Sequence, residues 1–176
     1  VSNVQFTLNP GEIVALVGES GSGKSLTARA IMGLLPKTTY TIKQRFTFWD
    51  KQNQLVLGKD IAMVFQEPAA ALNPVLSIKQ QLSEAFTTHS KEAFTKLQEK
   101  QTCIDLLLQV GIPNPEEALN KYPHQFSGGQ QQRIVIAIAL ANKPRILIAE
   151  EPTTDLDYSV ATEILNLIKE LAKAQG

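Results

Sequence analysis

The sequence predicts an α/β domain: buried strands carrying helices, a glycine-rich loop at the centre, and a helical insertion. Three observations carry this prediction. Short apolar runs rich in β-branched residues occur at Ile13-Val14-Ala15-Leu16-Val17, at Ile61-Ala62-Met63-Val64-Phe65 and, after Arg145, at Ile146-Leu147-Ile148-Ala149. Such runs suit strands buried on both faces. The first of them leads into Gly18-Glu19-Ser20-Gly21-Ser22-Gly23-Lys24-Ser25, which fits the phosphate-cradling pattern G-x-x-x-x-G-K-[ST]. Between the second and third runs, from Leu72 to about Pro123, the pattern is helical and shows no β signal.

Taken in order, Val4-Gln5-Phe6-Thr7-Leu8 alternates apolar and polar and reads as a half-buried strand, turned by Asn9-Pro10-Gly11 into the strand before the loop. After the loop, Leu26 to Leu35 reads as a helix stopped by Pro36. Alternation returns from Thr39 to Trp49 through Tyr40, Ile42, Phe46 and Phe48, with Asp50 to Asn53 as a polar turn and Leu55-Val56-Leu57 as a hairpin return. Trp49 and the phenylalanines are read as packing residues. In the helical span, Phe94, Leu97, Ile104 and Leu108 mark an apolar stripe closed by Gly111 and Pro113. Asn114-Pro115-Glu116-Glu117 reads as a capped helix start. Ser127 and Gln130 form a capping box that opens a helix through Leu140. Val160, Ile164, Leu167, Ile168 and Leu171 make the stripe of a closing amphipathic helix.

Bulk composition narrows the function. Lys+Arg and Asp+Glu both count 17, so net charge gives no pointer to nucleic acid or an anionic membrane. The longest apolar run, Ile134 to Ala141, is far short of the roughly 20 residues that span a bilayer. If the protein serves transport, another chain forms the pore. Cys103, set among leucines, reads as a core residue; a single cysteine forms no internal disulfide and suits a reducing cytosol. The start at Val1 and the end at Gly176 within a helical pattern read as those of a fragment.

The chemistry follows from three places. Strand, glycine loop and helix together turn backbone N–H groups and a helix N-terminus toward an anion. Lys24 then reaches the β- and γ-phosphates and the Ser25 hydroxyl ligates Mg²⁺. A surface Gly/Ser turn is the competing reading, and the flanking elements argue against it. Glu150 and Glu151 follow the third apolar run. Adjacent residues on an extended backbone face opposite ways, so Glu150 is assigned to Mg²⁺ and Glu151 to the general base or water-orienting role. Ser127-Gly128-Gly129 is a second helix start with bare N–H groups, suited to the nucleotide of another copy in a two-fold sandwich.

Taken together, Gly18 to Ser25, Gln66, Phe126-Ser127-Gly128-Gly129-Gln130 and Ile146 to Asp157 resemble, in order, the Walker A, Q-loop, signature, Walker B and D-loop motifs of ABC transporter ATP-binding subunits. The resemblance spans nearly the whole chain. Val64-Phe65-Gln66-Glu67-Pro68, Leu72-Asn73-Pro74, Tyr122-Pro123-His124-Gln125 and Glu151-Pro152-Thr153-Thr154 are most similar to bacterial peptide importers (oligopeptide, dipeptide and microcin-type), with nickel importers close by.

The resemblance implies a P-loop NTPase (RecA-like) core with a small antiparallel β region and an inserted helical subdomain. Residues 1–71 would form the P-loop and β part, 72–128 the helical subdomain ending at the signature motif, and 129–176 the return to the core with Walker B and D-loop. It implies ATP and Mg²⁺ as cofactors and ATP hydrolysis coupled to solute import. Gly18, Glu19, Ser20, Gly21, Ser22, Gly23, Lys24 and Ser25 would bind ATP, and Gln66 would contact Mg²⁺ or the lytic water and link the site to the helical subdomain. Ser127, Gly128, Gly129 and Gln130 would close on the partner's nucleotide, and Asp157 would lie at the dimer seam. A second ABC ATPase domain, permease subunits and an extracytoplasmic solute-binding protein are the implied partners, with no nucleic acid. The implied place is the cytoplasmic face of the bacterial cell membrane, as a peripheral subunit.

Departures from the family pattern are Glu150 where Asp is usual, Asp155 where Ala is usual, and Phe126 where Leu is commoner. The extra methylene of Glu150 moves its carboxylate by about an ångström, a displacement that can cost ~10²-fold in rate. The family's adenine-stacking aromatic would lie before Val1 and its switch histidine beyond Gly176, and neither His89 nor His124 is placed to replace the latter. The fragment alone is expected to be weakly active. A soluble ABC ATPase acting on DNA or ribosomes is the alternative from another class, and a P-loop kinase would leave Ser127 to Gln130 without a role.

Overall fold

Two of the three apolar runs pair as the centre of the fold in a computed structural model, which describes residues 4–36, 55–91 and 93–175. Strand β1 (Ile61–Val64) lies parallel to β2 (Ile146–Ala149), with Ile61 opposite Ile146 and Val64 opposite Ala149. Side chains of β1 alternate between two cores, as a pleated strand requires. Ile61 and Met63 pack with Ala28 and Ile31 of the helix that follows the glycine loop, α1 (Lys24–Ile31), and with its C-cap Met32. Ala62 and Val64 face the larger core, which is built by the helices.

Those helices are α2 (Pro68–Ala71), α3 (Ile78–Thr87), α4 (Lys96–Gln109), α5 (Pro115–Ala118), α6 (Gly128–Leu140) and α7 (Tyr158–Gln175). At their centre is α6: Ile134, Ile136 and Ala137 are fully buried, and α2, α3, α4, α7 and β1 all pack on it. The expected stripe of α7 is the one it buries, with Ile164, Leu167 and Leu171 inside and Val160 and Ile168 packed against them. Cys103 is fully buried, and its thiol lies 3.4 Å from the Ser83 hydroxyl. Capping boxes at Ser77/Gln80 and Thr95/Gln98 start α3 and α4. Neither was read from the sequence, although both fit S/T-x-x-Q.

Several expectations are corrected. Residues 4–8 and 13–17 form no ladder with any described residue, and their apolar side chains are exposed, Val17 to 87%, except for the half-buried Leu8. Apolar, β-branched composition makes a segment suitable for a strand, but a ladder takes two segments to form. The third run is only half-buried along β2, where the sequence suggested full burial. Of the expected stripe, only Ile104 is buried in α4. Leu97 and Leu108 are 76% and 57% exposed, while Cys103, Ile104, Leu106 and Leu107 face inward. A helix with apolar residues at successive positions offers more than one stripe, and contact with α3 and α6 selects among them. The other marker, Phe94, lies before α4 and meets Phe86 edge-on at 5.0 Å.

A short helix, α2, already precedes Leu72, where the helical pattern was expected to begin. Asn114 is the N-cap of α5, but its side chain makes no capping bond because its backbone is left-handed at φ 49°. The expected alternation across residues 39–49, with Trp49, and the turn at 50–53 lie outside the described residues. Leu57 forms an isolated bridge with Ile61, on a tight turn rather than along a hairpin.

Candidate functional site

The glycine loop is shaped by local sterics. Gly21 and Gly23 have φ of 80° and 96°, values that only glycine adopts without strain. A Cβ on Gly18 would fall 2.8 Å from the Ser22 hydroxyl. Gly23 caps α1 without a side chain, so the first-turn N–H groups at Lys24 and Ser25 stay available. Lys24 folds back, its Nζ donating to the carbonyls of Gly18 at 2.7 Å and Glu19 at 2.9 Å. Phosphate oxygens at the mouth of the loop would replace those carbonyls as acceptors.

At the C-terminal end of the sheet, the Glu150 N–H continues the ladder by donating to the Val64 carbonyl at 2.9 Å. Glu150 turns inward and is 6% exposed, whereas Glu151 is exposed. The expected divergence of the two carboxylates is present, but its origin is different. Glu151 is not extended: its φ is 42°, a conformation rare for a residue with a Cβ. Its Oε2 accepts from the Gln66 side-chain amide at 2.9 Å and the Thr154 hydroxyl at 3.2 Å. The second residue past β1 and the second residue past β2 are thus joined, although 85 positions separate them. With its N–H₂ donated to Glu151, Gln66 keeps its amide oxygen as an acceptor for a cation.

Glu150 differs in kind. Its Oε2 is buried without a hydrogen bond, and among the described residues it is paired in charge with the Nε of Arg29 at 3.6 Å. A buried carboxylate oxygen without a donor suits a cation, so the acids present fit Mg²⁺. Among the described residues no three His, Cys, Asp or Glu side chains converge. That matches Mg²⁺, which takes one or two carboxylates and completes its shell with water and substrate phosphates.

The second helix end expected to meet a phosphate is the start of α6. Ser127 caps α6 by accepting from the Gln130 N–H at 3.4 Å, and Gln130 returns the bond to the Ser127 N–H at 3.1 Å. With Asp155 and Asp157, residues 127–130 line a groove of about 320 Å³ that is closed on one side by α7. Arg133, one turn on, donates to the Val110 carbonyl at 2.8 Å and to Glu163 at 2.7 Å, tying α4, α6 and α7 together. Sequence reasoning missed Arg29, Arg133 and Thr154. Only Thr154, in a Pro-Thr-Thr turn after an acid, carried a local signal.

Residues 1–154 match the family described as ABC transporter. The chain belongs to that family. It is 48% identical to the peptidoglycan transport ATP-binding protein YejF of Agrobacterium fabrum, covering 100% of this chain and 34% of that protein. It is 44% identical to the oligopeptide transport ATP-binding protein OppD of Bacillus subtilis, covering 98% of this chain and 50% of the relative. Against the dipeptide transport ATP-binding protein DppD of the same organism the identity is 46%, over 98% and 54%. The chain thus spans between a third and a little over half of these relatives. In structure it resembles the ATP-binding cassette MJ0796, solved as a dimer in a post-hydrolysis state bound to ADP and Pi. The TM-score is 0.79 at 28% identity, over 99% of this chain and 75% of that one. The core is therefore that of an ABC ATPase cassette, a P-loop NTPase fold. No helix among the described residues is long and apolar enough to cross a membrane.

Proposed function

We propose that this chain is the ATP-binding and ATP-hydrolysing part of a bacterial importer for peptides or related small solutes. The observation that carries this is the Gln66–Glu151 hydrogen bond at the end of the β1–β2 pair, on a sheet that also packs the P-loop helix. Family membership and the peptide-transport relatives support it.

Residues 18–25 hold the phosphates, with Lys24 exchanging its two carbonyl acceptors for phosphate oxygens. Ser25, Gln66 and Glu150 hold Mg²⁺, which would neutralise charge on the transferred phosphate. Glu151, aimed by Gln66 and Thr154, takes the proton of the attacking water. Ser127, Gly128, Gly129 and Gln130 close on the γ-phosphate held by a second ATPase domain, with Asp157 at the seam. The dimeric cassette of MJ0796 supports this arrangement in trans. The division into residues 1–71, 72–128 and 129–176 belongs to the same proposal. So do docking of the helical span on permease subunits, a solute-binding protein outside, and a peripheral place on the cytoplasmic face of the membrane.

Glu151→Gln in the full-length protein tests the assignment. General-base loss predicts a fall in ATPase rate of about 10²- to 10⁴-fold with nucleotide binding retained. Unchanged turnover would remove Glu151 from the mechanism. Stimulation by the permease supports transport, whereas stimulation by DNA or ribosomes with indifference to the permease refutes it.

A further inference from the structure

Arg29 belongs to none of the sequence motifs, yet it is the cation that the buried Glu150 faces. Its Nε stands 3.6 Å from Oε2, an ion-pair distance too long for a hydrogen bond, so Oε2 is balanced in charge but has no donor. The two partners are unequal. The Arg29 side chain is 52% exposed and the Glu150 side chain 5%. Arg29 can therefore leave for water at small cost, whereas Glu150 is fixed and pays desolvation whenever nothing positive faces it. Packing of the partly buried Ala28 and Ile31 and the buried Met32 against β1 and β2 fixes α1 beside the sheet and so delivers Arg29 there.

We propose that Arg29 is a positioning residue that occupies the electrostatic place of the divalent cation. It holds the Glu150 carboxylate while the metal is absent and swings out to solvent when the metal arrives. Guanidinium and cation compete for one oxygen, so Arg29 sets how strongly Mg²⁺ is coupled to nucleotide binding. The inference rests on Glu150 as the metal-side carboxylate.

The test measures binding of a fluorescent ADP to the protein in EDTA and in Mg²⁺, with thermal melting under both conditions. For Arg29→Gln, Tm falls in EDTA, and the deficit narrows or vanishes with Mg²⁺ and ADP. The factor by which Mg²⁺ tightens ADP binding rises about 5- to 10-fold, within the usual range of coupling between sites. Arg29→Lys, which restores the charge, returns that factor toward wild type. Glu150→Gln removes most of the Mg²⁺ effect, and adding Arg29→Gln to it changes little more, because the oxygen competed for is no longer charged. An equal Tm loss with and without metal, and an unchanged Mg²⁺ factor in Arg29→Gln, would make the pair merely structural and overturn the proposal. A Mg²⁺ effect that survives Glu150→Gln intact would overturn the metal assignment itself, and this inference with it.

Discussion

Replacing Gly129 by alanine should reverse the sign of its effect according to what stands at position 160. Gly129 is the second residue of α6 and has no positive φ, so its backbone does not require glycine. What excludes a side chain is space. An ideal Cβ there would lie 2.6 Å from Val160 Cγ1 of α7, whereas ordinary carbon contacts begin near 3.5 Å. The helices would have to part by roughly an ångström, and overpacking of this kind costs about 1–3 kcal/mol. Against this, exchanging glycine for alanine in a helix gains up to ~1 kcal/mol. The clash wins, and Gly129→Ala should destabilise by about 0–2 kcal/mol. In a Val160→Ala background Cγ1 is gone and the propensity term stands alone, so the same substitution should stabilise by a few tenths to about 1 kcal/mol. Gly128→Ala is the internal control, because its Cβ would meet Leu156 Cδ2 at an ordinary 3.7 Å. Urea unfolding of the four proteins in the double-mutant cycle reads this directly. Equal destabilisation by Gly129→Ala in both backgrounds would refute the steric argument.

Two further outcomes follow from the interior. Arg133→Ala should cost about 1.5–3 kcal/mol in denaturant unfolding, because the Val110 carbonyl and Glu163 lose charged donors together. Glu163→Gln should cost much less, since that carboxylate is 64% exposed. For Cys103, burial pushes the thiol above its ordinary range, with only partial relief from the Ser83 hydroxyl. The native protein should therefore react with a disulfide reagent far more slowly than the unfolded chain. A raised thiol pKa favours folding least at high pH: its contribution is intact below the ordinary thiol range of about 8.5 and is lost as pH rises beyond it. Rapid native-state labelling near neutral pH would contradict the burial.

The chemistry-bearing strings, and the order in which they meet strands and helices, are legible in the chain alone. Gly18 to Ser25 must be glycine-rich because the loop turns through left-handed angles at Gly21 and Gly23, and Ser127 with Gln130 must cap because their spacing closes the box. These constraints act within a few residues, so they are written locally. The stripe of α7 was legible for the same reason: one regular period points to one face. In α4, with apolar residues at neighbouring positions, several faces were equally apolar, and packing against α3 and α6 chose among them. The strand at residues 13–17 failed in the opposite way, since its composition was right but pairing is a property of two segments. Only tertiary structure decided that Gln66 meets Glu151, that the pair Glu150–Glu151 diverges through a left-handed residue, and that Arg29 stands where a cation is wanted. Each of these joins positions distant in the chain, or depends on an electrostatic balance set by burial, and no local period records either.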